Sequence, residues 1–255
     1  MNIGFFGGGR ITHILLEGWK RANVMPAHVV VSDCKPESLV KLKTQHPAIE
    51  TRADACAAAV QDIVFLAVHP PVMAEVAGNI KASIKPDALV ISLAPKFTMA
   101  KLTNLLGGFR RLARVIPNAP SMVDFGYNPM TFAPALTAAD KTQITSLFKP
   151  LGECPEVAEN KLEGYALLSA MGPTYLWFQL QALREVAAGF GLSEAEIVPA
   201  MKRMVCGASR TLLESGLTRA QVMDLVPVKP LAEMEPQVTE MYRTKLPALF
   251  QKIKP

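Results

Sequence analysis

A short apolar run, Ile3-Gly4-Phe5-Phe6, passes directly into Gly7-Gly8-Gly9 and then into Arg10 to Arg21, whose apolar positions fall at helical spacing. Few folds accept a buried strand, a tight turn and a helix in that order. The first glycine permits the turn, and Gly9 lets a pyrophosphate approach the backbone. Phosphate oxygens then meet the free N–H groups of a helix N-terminus. Thr12 stands where the pattern G-x-G-x-x-G has its third glycine. Turns use glycine freely, so the triplet alone is weak; the strand before it and the helix after it make it a dinucleotide-binding loop.

The second strand, His28 to Ser32, ends in Asp33, where an acid would accept hydrogen bonds from the adenosine ribose hydroxyls. The same aspartate could instead serve as a turn or helix cap. Lys35, two residues on, could attract a 2′-phosphate. Asp33 favours NAD while Lys35 leaves NADP open.

Further apolar runs at Ile63 to Val68, Leu89 to Leu93 and Leu112 to Ile116 read as strands, with helical segments between them. Continuous apolar strands alternating with helices indicate an α/β fold, a doubly wound parallel sheet of Rossmann type covered on both faces. Ala138 to Lys149 reads as a helix. From Asn160 onward no strand is evident: Lys161 to Phe190, Ser193 to Ser215, Arg219 to Leu225 and a last segment to Ile253 all read as helical. Ser193 and Glu196 form a capping box, and Gly216 is a stop. The expected organisation is a Rossmann domain over 1–158 and an all-helical domain over 159–255.

Half of the 255 residues are apolar and 19% are charged, which argues against disorder and for a sizeable core with further surface hidden in an oligomer. The net charge of +5 is spread along the chain. Arg110, Arg111 and Arg114 cluster without interleaved aromatic residues, which speaks for a solvated face or a phosphate neighbour and against nucleic-acid binding. Cys34, Cys56, Cys154 and Cys206 are scattered, as are His13, His28, His46 and His69, so the spacing indicates no metal site. Reduced, buried thiols and a cytoplasmic location are the expectation. The N-terminus has no basic region before an apolar core, and the most apolar stretch, Asp62 to Gly78, is interrupted by His69, Pro70, Pro71 and Glu75. Neither a signal peptide nor a membrane span is expected.

Several segments together resemble pyrroline-5-carboxylate reductases. These are Ile3 to Gly9, Val31-Ser32-Asp33-Cys34-Lys35-Pro36-Glu37, Asp62 to Pro70 (with His69 where the family usually has lysine) and Leu89 to Ala94. Arg114-Val115-Ile116-Pro117-Asn118-Ala119-Pro120 resembles the family's R-V-M-P-N-T-P. Leu168 to Tyr175 resembles its L-S-G-S-G-P-A-Y, and Leu212 to Gly216 also matches. The ordered set spans essentially the whole chain. The resemblance implies cofactor contacts from Phe6, Gly7, Gly8, Gly9, Arg10 and Ile11, from Asp33, and from Ala67, Val68, His69 and Pro70. It places Asp54 near the adenosine, where the family commonly has asparagine, and Ala94 and Asn118 nearer the nicotinamide. It implies reduction of a cyclic imine with NADP or NAD, and a homodimer made by the C-terminal helices.

The departures gather on the substrate side. After Asp224-Leu225-Val226 the family has T-S-P-G-G-T-T, a loop whose backbone amides and threonine hydroxyl hold the substrate carboxylate. Here Pro227-Val228-Lys229-Pro230-Leu231-Ala232-Glu233 follows. Two prolines have no N–H to donate, and neither glycine nor threonine remains. The family's A-A-G is Ala94-Pro95-Lys96, and Ala119 and Ala170-Met171 replace Thr and Gly-Ser. Lys96 and Lys229 are new positive charges that could hold a carboxylate as point charges, or could be solvated surface lysines.

Imine reduction asks little of side chains, because a protonated imine is already electrophilic and the protein mainly positions the reacting carbons. Asn118, with Lys96 and Lys229, is a candidate substrate contact. Ser169, Thr174 and Tyr175 are candidate polar contacts or proton donors, though helix packing is the better explanation of such residues. Three functions follow: reductase of a cyclic imine or related small C=N or C=O compound, a Rossmann reductase using another hydride donor such as a deazaflavin, and a nucleotide-binding protein that has lost its substrate site.

Overall fold

The apolar runs near the N-terminus become the parallel strands of a seven-stranded sheet. The computed structural model describes residues 1–255. In chain order the elements are β1 (Asn2–Phe6), α1 (Arg10–Arg21), β2 (His28–Ser32), α2 (Pro36–Gln45), β3 (Glu50–Arg52), α3 (Ala55–Ala59), β4 (Ile63–Leu66), α4 (Met73–Ile80), β5 (Leu89–Ser92), α5 (Met99–Leu105) and β6 (Leu112–Val115). There follow β7 (Gly126–Tyr127), β8 (Met130–Phe132), α6 (Ala138–Phe148), β9 (Gly152–Glu153) and α7 (Leu162–Tyr165), and then only helices: α8 (Pro173–Gly189), α9 (Glu194–Glu214), α10 (Arg219–Asp224) and α11 (Glu235–Ile253). The sheet order is β3-β2-β1-β4-β5-β6-β8, parallel except for β8, which pairs antiparallel with β6.

Alternate residues of each central strand enter different cores, as a period of two requires. Ile3, Phe5, Ile63, Phe65, Leu89 and Ile91 pack on one face with Leu15, Trp19 and Phe148. Phe6, Val64, Leu66 and Val90 pack on the other with Ala58, Met73 and Leu102. Phe5 stacks on Phe65 with ring centroids 4.5 Å apart, and the Trp19 indole donates to the Leu147 carbonyl at 2.7 Å. Both faces are therefore covered, the doubly wound arrangement expected of such strands.

The chain divides into two compact units, Met1–Met171 with Leu249–Pro255, and Gly172–Ala248. Residues 159–171, grouped above with the helical half, pack within the first unit: Leu162, Ala166 and Leu167 join Ile116 and Ile253 in a third apolar cluster. The single helix expected over Lys161 to Phe190 is interrupted. A π-turn occupies Ala166–Ala170, and α8 begins afresh with Pro173 in its first turn. In the second unit the Ser193–Glu196 capping box forms, and Gly216 takes φ 75° beyond the end of α9. Among residues 172–248 only Ile197 is buried.

Two expectations about side chains are corrected. Arg114 is neither solvated nor free to meet phosphate: it is fully buried in β6, between Glu159 at 2.9 Å and Glu163 at 2.6 Å. The four cysteines are free as expected, but Cys34, Cys56 and Cys206 are exposed rather than buried. No helix is long and apolar enough to cross a membrane.

Candidate active site

The carboxyl ends of parallel strands share one edge of a sheet, and ligands of open α/β folds bind there, where the strand order reverses. In this chain the reversal lies at β1, flanked by β2 and β4. The ends of these three strands are joined by backbone hydrogen bonds. The Gly7 N–H donates to the Ser32 carbonyl at 2.8 Å, and the Ala67 N–H donates to the Phe6 carbonyl at 2.8 Å. Gly7 has φ 103°, a conformation L side chains rarely adopt.

Thr12 shows why the third glycine can be absent. It is fully buried, and its hydroxyl donates to the Gly7 carbonyl at 2.5 Å, closing the loop from inside the helix. Gly8 is held from the other side, its N–H donating to the Asp33 carboxylate at 2.7 Å. Gly9 is the N-cap of α1 and supplies no side-chain cap, and no acidic residue lies in the first turn, where Arg10 sits exposed. A Cβ built on Gly9 would meet nothing within 4 Å. An uncapped, positively polarised helix end beside open space fits an anionic pyrophosphate.

Asp33 fills the turn role that the sequence allowed. One carboxylate oxygen takes the Gly8 N–H, and the other takes the Lys35 N–H at 2.8 Å, so it shapes the turn into α2 while lying at the end of β2. Lys35 is exposed at the N-cap of α2. Asp54 caps α3 by accepting from the Cys56 N–H at 2.9 Å, and the Ser32 hydroxyl donates to its carbonyl. Ala67 and Val68 follow β4; exposed His69 caps the short turn that opens at Pro70; Ala94 is buried just beyond β5. The fold thus brings Phe6 to Ile11, Asp33, Lys35, Ala67 to Pro70 and Ala94 to the same edge of one sheet.

Asn118 is buried and committed to the protein. Its amide N–H donates to the Ser169 carbonyl at 3.0 Å, and its oxygen accepts from the Tyr127 N–H at 3.2 Å. The Ser169 hydroxyl donates to the Tyr165 carbonyl one helical turn back, at 2.9 Å. Lys96 is exposed, and its backbone carries the consequence of its substitution: at φ 74° it occupies a left-handed conformation where the resembling family has glycine. Its N–H donates to buried Glu163 at 3.2 Å, which holds the turn in place. A left-handed non-glycine residue carries roughly 1–2 kcal/mol of strain. Lys96→Gly is therefore expected to stabilise the chain by about 1 kcal/mol, raising the melting temperature by roughly 2–4 °C; an unchanged or lower value in calorimetry would contradict this.

Thr174, Tyr175 and Lys229 belong to the second unit. Thr174 and Tyr175 lie in the first turns of α8, and the Tyr175 ring meets Tyr242 edge-on at 5.7 Å. Burial, and then Tyr242, push the Tyr175 phenol above its ordinary value, so it keeps its proton at neutral pH. Lys229 is exposed in the stretch after α10, where the Ala232 N–H donates to the Lys229 carbonyl. In that stretch Pro227 and Pro230 have no N–H, and Ala232 has spent its own.

Sequence comparison agrees with this geometry. A family model described as NADP oxidoreductase, coenzyme F420-dependent, matches residues 2–96, the part of the chain that builds the glycine loop. The pyrroline-5-carboxylate reductase of Escherichia coli (strain K12) is 28% identical over 225 residues, covering 88% of this chain and 84% of that protein. That of Corynebacterium melassecola is 27% identical over 217 residues, covering 84% and 80%. A solved pyrroline-5-carboxylate reductase from Coxiella burnetii superposes with TM-score 0.68 at 28% identity, covering 99% of this chain and 94% of that one. Along nearly its whole length the chain is similar to pyrroline-5-carboxylate reductases. The Plasmodium falciparum pyrroline carboxylate reductase, solved with NADP bound, shares the fold of this chain at TM-score 0.75 and 20% identity, covering 99% and 94%.

Two groupings in this chain escape sequence reasoning. Arg114, Glu159 and Glu163 are separated by 45 and 49 positions, and only the fold joins them. His13, Glu17 and His46 converge although the histidines read as dispersed; the one legible signal was the four-residue spacing of His13 and Glu17 on a helix.

Proposed function

We propose that this reductase uses NADH or NADPH to reduce a small cyclic imine, held without the carboxylate loop typical of its family. The observation that carries this reading is the uncapped N-terminus of α1 behind Gly7-Gly8-Gly9 at the sheet's switch point, in a chain whose segment after α10 has prolines at two positions and neither glycine nor threonine. When bound, the dinucleotide supplies the hydride. The residues of this chain bind and orient it: the Gly9 amide and Arg10 at the pyrophosphate, in a loop that Gly8 fixes through Asp33, Asp33 and Lys35 at the adenosine ribose, with Asp54 near the adenosine, and Ala67 to Pro70 and Ala94 along the strand ends towards the nicotinamide. Asn118 fixes the floor between Tyr127 and the Ser169 segment. Ser169, Thr174 and Tyr175 are the polar groups assigned to the imine, all three with protonated hydroxyls at neutral pH. Lys96 and Lys229 are the remaining cations available to a carboxylate.

Cofactor oxidation, followed with purified protein, tests this. Pyrroline-5-carboxylate and 1-pyrroline, which lacks the carboxylate, are both expected to be turned over, with kcat/KM values within about tenfold of each other, because no preorganised amide nest remains to discriminate between them. No oxidation of either nicotinamide cofactor with either imine would overturn the reading. Turnover only with a deazaflavin donor would favour the other reductase class, and cofactor binding with no turnover of any imine would favour a binding protein.

A homodimer through the helical unit is part of this reading. Trp177, Phe178, Phe190, Leu213, Val228 and Leu231 are all more than half exposed in a unit with a single buried residue, and so much apolar surface calls for a second copy. Sedimentation at micromolar concentration is expected to give twice the 27.6 kDa of the chain. Free cysteines fit a reducing, cytoplasmic location.

A further inference from the structure

We propose that His13, Glu17 and His46 form a zinc site that pins α1 to the end of α2, apart from the catalytic chemistry. His13 and Glu17 are four residues apart on α1 and share one face of the helix. His46, the C-cap of α2, is buried against them. The His13 Nδ1 and His46 Nε2 atoms are 3.0 Å apart, and Glu17 Oε1 lies 3.5 Å from His46 Nε2. All three donor atoms fall within 4.8 Å of one another.

The two separations to His46 are close to what a tetrahedral ion needs. With metal–nitrogen bonds of about 2.0–2.1 Å, neighbouring ligand atoms stand roughly 3.3–3.4 Å apart. The two separations to His46, 3.0 and 3.5 Å, lie within a few tenths of an ångström of that spacing, and His13 and Glu17, both only partly buried, have room to close on each other. Two imidazoles and one carboxylate are borderline donors suited to zinc and unsuited to calcium or magnesium, which take oxygen ligands. Three protein ligands leave a fourth position for water. The one cation facing the set is Lys20, whose Nζ lies 3.9 Å from Glu17 Oε1; its side chain is largely exposed and can turn into solvent.

The placement gives the site a role. The His13 N–H donates to the Gly9 carbonyl at 3.1 Å, so His13 belongs to the first turn of the helix whose N-terminus faces the pyrophosphate. α2 begins where Asp33 and Lys35 shape the ribose corner. A metal joining the two helices holds the two halves of the cofactor frame together without touching the reacting atoms.

Zinc titration of the chelator-treated full chain, followed by competition with a chromophoric chelator and by thermal melting, tests the assignment. One zinc per chain and a rise in melting temperature of several degrees are expected, with no such rise on adding magnesium. His13→Ala and Glu17→Gln, both at partly exposed positions, should keep the fold, weaken zinc binding at least tenfold and abolish the thermal shift. The control His28→Ala should behave like the wild type, which separates the site from chance binding by exposed histidines or cysteines. Cobalt should give the intense visible bands of a four-coordinate ion in the wild type and lose them in His13→Ala. Absence of stoichiometric zinc binding, or equal binding by His13→Ala, would overturn the proposal; the hydrogen bond between the two rings would then be the whole of the interaction.

Discussion

Arg114→Met is expected to cost about 3–5 kcal/mol, a large part of the stability of a domain of this size. The guanidinium is fully buried and donates to Glu159 at 2.9 Å and Glu163 at 2.6 Å. Glu163 is itself buried and also accepts the Lys96 N–H; Glu159 also accepts the Met99 N–H, at 2.6 Å. One arginine thus ties β6 to the start of α7 and, through the two acids, to the turn between β5 and α5. A methionine of similar length fills the space and leaves a carboxylate in an apolar setting with no cation to offset its lost hydration. The penalty comes from that orphaned charge more than from any intrinsic strength of the pair, because ion pairs in the interior return little beyond their desolvation cost. The double variant Arg114→Met, Glu163→Leu removes the orphan. It is expected to recover more than half of the single-variant loss in urea unfolding, short of full recovery because the Lys96 N–H then lacks its acceptor. A loss below about 1 kcal/mol for Arg114→Met would show that the pair contributes little.

The turn carrying Lys96 follows β5, so the same substitution reaches the site. With Glu163 displaced, the left-handed residue at 96 loses the hydrogen bond that holds it, and the segment following Ala94 relaxes. Activity should fall further than the folded fraction alone accounts for, and Lys96→Gly in the same background should restore part of the stability.

What could be read from the sequence follows from how local each signal is. β1, β2, β4, β5 and β6 were legible as short apolar runs, because strands covered on both faces need no polar residue. β3 was not: Glu50-Thr51-Arg52 is polar and half exposed at the sheet's edge, where only one neighbour constrains it. β8 escaped because Met130 to Phe132 follows a proline and pairs antiparallel, outside the alternation of strand and helix that indicated the rest. The break within 161–190 had a local signal, Gly172-Pro173, which the helical periodicity on either side outweighed. The glycine loop was legible because its chemistry is backbone chemistry, written in residues without side chains. The arginine between two glutamates and the pair of histidines are tertiary facts, and no spacing rule reports a partner more than thirty positions away.

Gly7→Ala is expected to cost about 3 kcal/mol of stability and to weaken cofactor binding on the order of 100-fold. The new methyl would lie 2.5 Å from the Ala67 carbonyl oxygen and 2.9 Å from its carbon, both backbone atoms, at a φ of 103° that alanine resists. Little around it can yield. The residue's own N–H is bonded to β2, its carbonyl takes the Thr12 hydroxyl, and the Ala67 N–H is bonded to Phe6. The turn must therefore move as a body, and the amides facing the pyrophosphate move with it. Gly9→Ala separates this from the ligand's own demand. Its φ of −82° suits alanine and its methyl meets no protein atom within 4 Å, so urea unfolding should be unchanged to within about 0.5 kcal/mol. The methyl would instead occupy the space the pyrophosphate needs, and NADH affinity, read by fluorescence titration, should still fall at least tenfold. Equal affinity in Gly9→Ala and wild type would place the phosphates elsewhere. A tenfold fall would instead give the three glycines separate reasons: Gly7 for a backbone only glycine adopts, Gly8 for a position where a methyl meets Val31 at an ordinary 3.6 Å, and Gly9 for the ligand.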